Sequence, residues 1–173
     1  MIAYPDTSFL VSLYVRQIHS PHAAAHFAAM QEPLHVTDLV LYEFRLAVRL
    51  AVFRAEHGAA DIVTRQDAVA AFANLESDIA DGALVTVTYE WPAVLATAER
   101  LSGKHGMDSG YRAFDILHVA TALQLGATEF LTFDGKRAHA RRKRRAGRSA
   151  LMRTDDLFAA QKASLDKWDK VLG

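Results

Sequence analysis

Cysteine is absent from the 173 residues. That excludes disulfides, thiolate metal ligands and a cysteine nucleophile, and it suits a reducing cytoplasm, the expected location. No apolar run approaches the ~20 residues that span a bilayer, so no membrane association is expected. The opening segment MIAYPDTSFL has no basic stretch ahead of its apolar residues, and no signal peptide is expected. Net charge is missing too, with 20 Lys and Arg against 20 Asp and Glu. The balance is uneven along the chain. Between 136 and 148 lie Lys136, Arg137, Arg141, Arg142, Lys143, Arg144, Arg145 and Arg148 without one acid. The remainder holds twelve cations against twenty acids, a net of about −8. An acidic body with one dense basic patch suits a protein that holds a polyanion.

What is present reads as one domain spanning 1–173, large enough to bury a core. Short apolar runs at 2–5, 34–37, 84–88, 129–133 and 150–153 read as strands. Helical patterns fall at 8–15, 20–31, 39–56, 64–80, 91–105, 111–125, 136–146 and 155–171. The alternation predicts an α/β fold with a mainly parallel sheet of about five strands and helices on both faces. Pro92 and Gly126 stand where helices start and stop. The turn-rich SGKHGMDSG at 102–110 reads as a surface loop. The stretch 55–82 reads as a helical arm, and 136–173 as a basic run with a C-terminal helix. The tail residues Phe158, Leu165, Trp168 and Leu172 form a stripe suited to docking on the body.

Four acids stand near the carboxyl ends of strands or just inside the helices that follow. They are Asp6, Glu43, Asp115 and Asp134. In doubly wound sheets, sites form at that edge. Each acid alone has a structural explanation. Asp6 with Thr7 and Ser8 can cap a helix. Asp134 before Gly135 is ordinary turn chemistry. Asp115 is a cap if its helix begins at Phe114, and interior if it begins near Ser109. Glu43 has Leu39, Leu46, Ala47 and Leu50 as helical neighbours, which predicts a carboxylate on the apolar stripe, facing the protein. Burial there requires a partner, either an arginine such as Arg112 or a metal. Taken together, the four suit a hard divalent cation, Mg²⁺ or Mn²⁺. Without metal, such a cluster would be expected to hold protons at neutral pH.

Histidines offer a competing site. His22 and His26 share a helix face near His19, but no glutamate follows His22 in an H-E-x-x-H pattern. His118, one turn after Asp115, reads as a packed, hydrogen-bonded histidine.

Three stretches, MIAYPDTSFLVSLYV, TDLVLYEFRLAV and YRAFDILHVATALQLGATEFLTFD, resemble in order and spacing the PIN-domain ribonucleases, most closely VapC-type toxins. The resemblance covers most of the chain to about residue 135 and implies a three-layer α/β/α PIN fold. It makes Asp6, Glu43, Asp115 and Asp134 the metal-binding quartet for Mg²⁺ or Mn²⁺. Ser8 and Thr132 match hydroxyl positions that support the acids, and Arg112 could contact the scissile phosphate or pair with an acid. The activity implied is hydrolysis of RNA phosphodiesters, leaving a 5′-phosphate and a 3′-hydroxyl. The partners implied are RNA, a cognate antitoxin and a second copy in a homodimer. Arg141, Arg142, Lys143, Arg144 and Arg145 could bind RNA phosphates. The alternative is a catalytically silent PIN-fold protein that binds RNA or a partner. A haloacid-dehalogenase-type phosphatase would need a second aspartate where this chain has Ser8.

Overall fold

The computed structural model describes residues 2–59, 62–109 and 112–133, the side chains of 105–109 excepted. Four short strands alternate with six helices among these residues. The order is β1 (Ala3–Pro5), α1 (Thr7–Tyr14), α2 (Ser20–Ala29), β2 (Leu34–Val36), α3 (Asp38–Glu56), α4 (Arg65–Ala80), β3 (Leu84–Thr86), α5 (Trp91–Ser109), α6 (Ala113–Gln124) and β4 (Glu129–Leu131). The suggested strand at 150–153, the helices at 136–146 and 155–171, and the tail stripe lie outside the described residues.

All the pairing is parallel. β1 pairs with β4, Tyr4 opposite Phe130, and β2 pairs with β3, Leu34 opposite Leu84. The two pairs adjoin through β1 and β2. Parallel strands need crossover connections, and the intervening helices supply them.

Side-chain alternation along the strands sorts the core into layers. Ala3, Leu34, Val36, Leu84 and Leu131 join one cluster with buried residues of α1, α2, α3 and α4. Tyr4 and Phe130 point the other way, onto Ala122 of α6 and Ala127. α5 packs on α6 through Val94, Ala98 and Ala120. The β1–β4 pair is therefore covered on both faces, as its buried strands require, whereas Val85 and Thr86 of β3 are exposed.

Two helix boundaries show how local chemistry acts. α6 ends in a Schellman motif, with Gly126 at φ +65°, its N–H on the Leu123 carbonyl and the Ala127 N–H on that of Ala122. α5 runs to Ser109, through most of the stretch that reads as a loop. Once a helix is nucleated, each further residue adds a hydrogen bond. Gly103 and Gly106 therefore weaken this end by only about 1 kcal/mol each without stopping it.

The helical part of 55–82 is α4. Thr64 and Asp67 cap it reciprocally, and Ala68, Ala71 and Leu75 bury one face. Arg45–Glu76 and Arg65–Glu56 pairs tie α4 to α3, and Tyr14 Oη donates to Asp78 at 2.7 Å.

α3 also corrects the reading of its own faces. Its buried residues are Val40, Leu41, Phe44, Val48 and Val52. Leu46 and Leu50, expected on the buried stripe, are 45% and 41% exposed. With Tyr42 and Phe53 they form an outward apolar row at i, i+4, i+8 and i+11. The helix carries apolar residues on two faces, and periodicity alone does not say which one meets the sheet.

Candidate active site

Asp6 follows β1 directly and caps α1, its Oδ1 accepting the Phe9 N–H at 3.0 Å. Capping is only part of its environment. Ser8 Oγ donates to Oδ1 at 2.6 Å and Thr132 Oγ1 donates to Oδ2 at 2.5 Å. Ser8 is itself held by the Phe133 N–H at 2.8 Å. β1 and β4 are paired neighbours, so the turn after one strand faces the residues ending the other. Asp6 is only 9% exposed. Burial pushes its carboxyl above the usual aspartate range, against the pull of Ser8, Thr132, the Phe9 N–H and His118.

Glu43 projects from the second turn of α3 toward the same edge, its side chain 24% exposed. Among the described residues it has no arginine partner. Thr7 Oγ1 and His118 Nε2, the latter at 2.5 Å, both meet its Oε2. Burial raises its pKa, but the bonds from His118 and Thr7 outweigh that and hold Glu43 below the usual range. Among the described residues, the groups bonded to Glu43 are donors rather than other carboxylates. Thr7 adjoins Asp6 in sequence and bonds Glu43, so one dipeptide links the two acids.

His118 lies on α6 and is 3% exposed. Its Nδ1 lies 3.3 Å from Tyr4 Oη, which lies 3.1 Å from Thr37 Oγ1. Nothing in the sequence marks Tyr4, Thr7 and Thr37 as site residues, and His118 reads there only as a packed histidine. The available signal was the spacing of His118, one helical turn from Asp115.

Asp115 is exposed in the first turn of α6, where its Oδ2 accepts the Arg112 N–H at 3.0 Å. The helix begins at Ala113, so the capping alternative describes this contact. Arg112 is exposed at the N-cap. Asp134 and the run Arg141, Arg142, Lys143, Arg144 and Arg145 lie outside the described residues.

Among the described residues, no three acidic or histidine side chains form a group able to hold a metal. His26 instead sits edge-on to Phe9 with Nε2 3.8 Å from Glu129, and His19 stacks on Phe133. The chemistry of Asp6 and Glu43 nevertheless fits a divalent cation. Mg²⁺ commonly takes one or two protein carboxylates, with water and substrate phosphate completing its shell. Within the described residues Oδ2 of Asp6 accepts one bond and Oε1 of Glu43 none, which leaves acceptor capacity on each acid.

Residues 3–143 match the family model for the PIN domain. The chain belongs to the PIN domain family. Solved structures of similar fold include VapC20 of Mycobacterium tuberculosis, described as a sarcin–ricin loop cleaving toxin. It is 19% identical with a TM-score of 0.55, over 80% of this chain and 94% of that one. VapBC2 of Rickettsia felis, bound to a DNA fragment from its promoter, is 15% identical with a TM-score of 0.55, over 82% and 92%. FitAcB of Neisseria gonorrhoeae is 20% identical with a TM-score of 0.52, over 77% and 88%. At these identities the likeness is one of fold. No curated protein matches. None of the described helices of this PIN domain is long and apolar enough to cross a membrane.

Proposed function

We propose that this PIN domain is a metal-dependent endoribonuclease, the toxin of a toxin–antitoxin pair. The observation that carries the reading is the pair Asp6 and Glu43. Both are taken at least partly out of water at the edge formed by the β1–α1 turn and α3, and each is held by donors from other elements. Removing a carboxylate from water is costly, and hydroxyls that orient it are what a preorganised ligand needs.

In this reading Asp6 and Glu43 hold Mg²⁺ or Mn²⁺, with Asp115 and Asp134 completing the acidic set. Asp115 stands one turn before His118, the residue that touches Glu43, and Asp134 stands two residues after Thr132. A divalent ion, when bound, neutralises charge on the phosphate and lowers the pKa of water. The chain's own groups fix the acids: Ser8 and Thr132 hold Asp6, while Thr7 and His118 hold Glu43. Hydrolysis breaks the bond between phosphorus and the 3′-oxygen and joins the water oxygen to phosphorus, leaving a 5′-phosphate and a 3′-hydroxyl. Arg112 and the run at 141–145 supply cations for the RNA backbone. Stripping divalent ions with a chelator should abolish cleavage of RNA, and added Mn²⁺ should restore it. Cleavage that persists after chelation overturns the metal-dependent reading; Mn²⁺ binding without cleavage favours the silent alternative.

Two of the similar structures are a toxin that cleaves the sarcin–ricin loop and a VapBC complex on promoter DNA, which supports the toxin–antitoxin assignment. The outward row Tyr42, Leu46, Leu50 and Phe53 supplies a surface for a partner. It continues into a cleft of about 440 Å³ between α3 and α4, lined by residues that include Arg49, Phe53, Arg65 and Val69. In our reading this face joins two copies in a homodimer. Light scattering should give a dimer for the wild type and a monomer for Leu46→Glu with Phe53→Glu, with little change in unfolding temperature. A monomeric wild type overturns the dimer and leaves the face to an antitoxin.

A further inference from the structure

We infer that Thr37, Tyr4 and His118 form a positioning relay that fixes Glu43, so that this acid meets a divalent cation through Oε1 alone. The inference rests on the metal-dependent reading of the site. Its basis is a chain of contacts across three elements: Thr37 at the end of β2, Tyr4 in β1 and His118 in α6. The Thr37–Tyr4 contact is 3.1 Å, Tyr4–His118 Nδ1 is 3.3 Å and His118 Nε2–Glu43 Oε2 is 2.5 Å.

The direction of the last bond follows from chemistry. An ionised carboxylate only accepts, so His118 Nε2 must carry the proton. A neutral imidazole has one N–H, and Nδ1 then accepts from the Tyr4 hydroxyl while Thr37 donates to the Tyr4 oxygen. A cationic imidazole would reverse the two outer bonds and leave Nε2–H···Glu43 unchanged.

Thr7 Oγ1 donates to the same Oε2. Two donors from different helices therefore occupy one oxygen and orient the carboxylate. Oε1, which accepts no bond among the described residues, is left as the ligating atom. Tyr4 and Thr37 are wholly buried and His118 is 3% exposed, so surrounding packing constrains all three members of the relay.

Calorimetry with Mn²⁺ on the full chain tests this directly. His118→Ala should weaken Mn²⁺ binding about 10- to 100-fold, the usual consequence of removing a residue that orients a metal ligand. His118→Gln, whose amide can donate from the Nε2 position, should recover most of the loss. Tyr4→Phe keeps the ring and should fall between. A purely structural role would lower the unfolding temperature of His118→Ala while leaving its Mn²⁺ affinity unchanged, and that result overturns the relay. Failure of the wild type to bind Mn²⁺ instead overturns the functional reading beneath it. If His118→Ala does not fold, the ¹⁵N spectrum of the wild-type imidazole decides. A proton on Nε2 supports the relay, and protonation at Nδ1 alone overturns it.

Discussion

Asp6→Asn should abolish metal-dependent RNA cleavage while making the metal-free protein more stable. The two effects have one cause. Asp6 is a buried carboxylate whose charge a cation would use and the bare fold must tolerate. Asparagine keeps an oxygen for Ser8 and the Phe9 N–H, and its amide can donate to Thr132 once that hydroxyl turns to accept. It removes the charge. Activity should drop by more than about 100-fold, the upper end of what loss of a mere supporting residue costs. Stability should rise by about 0.5–2 kcal/mol, the usual range for single stabilising changes.

The pH dependence of the stability gain carries a definite sign. Burial raises the folded-state pKa of Asp6 above the unfolded value of about 3.9. Below that value the carboxyl is protonated in both states, and wild type and variant should be nearly equally stable. As pH rises from there through the folded pKa, the unfolded chain ionises more readily and the wild type loses ground. Urea unfolding at a series of pH values measures the divergence. A wild type that gains on the variant as pH rises would contradict the assigned shift, and undiminished cleavage by the variant would sink the assignment of Asp6.

Phe44→Ala should destabilise the fold by about 3–5 kcal/mol. Phe44 is completely buried and sits edge-on to Tyr14 of α1 at 5.7 Å and Phe72 of α4 at 6.1 Å. Removing the ring opens a void where three helices meet. The unfolding temperature should fall by about 6–20 °C, taking 2–4 °C per kcal/mol for a domain of this size. Leu50→Ala, two turns further along α3, should change the stability of the monomer far less because that side chain is 41% exposed in the single chain. Thermal unfolding of both variants compares the two faces of α3. A larger loss from Leu50→Ala than from Phe44→Ala would mean that the faces are exchanged.

That comparison also marks what the sequence could reveal. The order of strands and helices through residue 133 was legible because periodicity, Pro92 and Gly126 are local signals. α5 escaped in part, because glycine-rich composition describes a residue's preference and not the helix already formed behind it. Glu43 was singled out for the right chemical reason, an acid among apolar neighbours, but on the wrong geometric one. Its expected stripe through Leu46 and Leu50 faces outward, and among the described residues its partners are a threonine and a histidine rather than an arginine. Asp115 was undecided between cap and interior until the start of α6 at Ala113 placed it in the first helical turn.

By itself the sequence determined the parallel α/β plan and the short set of acids worth attention, because hydrophobic pattern and the cost of burying charge act residue by residue. Only the tertiary structure decided which donor meets which oxygen. Thr7 reaches Glu43 across 36 positions, His118 reaches it across 75, and Thr132 reaches Asp6 across 126. Such meetings depend on the pairing of β1 with β4 and on the packing of α6 against the sheet, and no local signal encodes either.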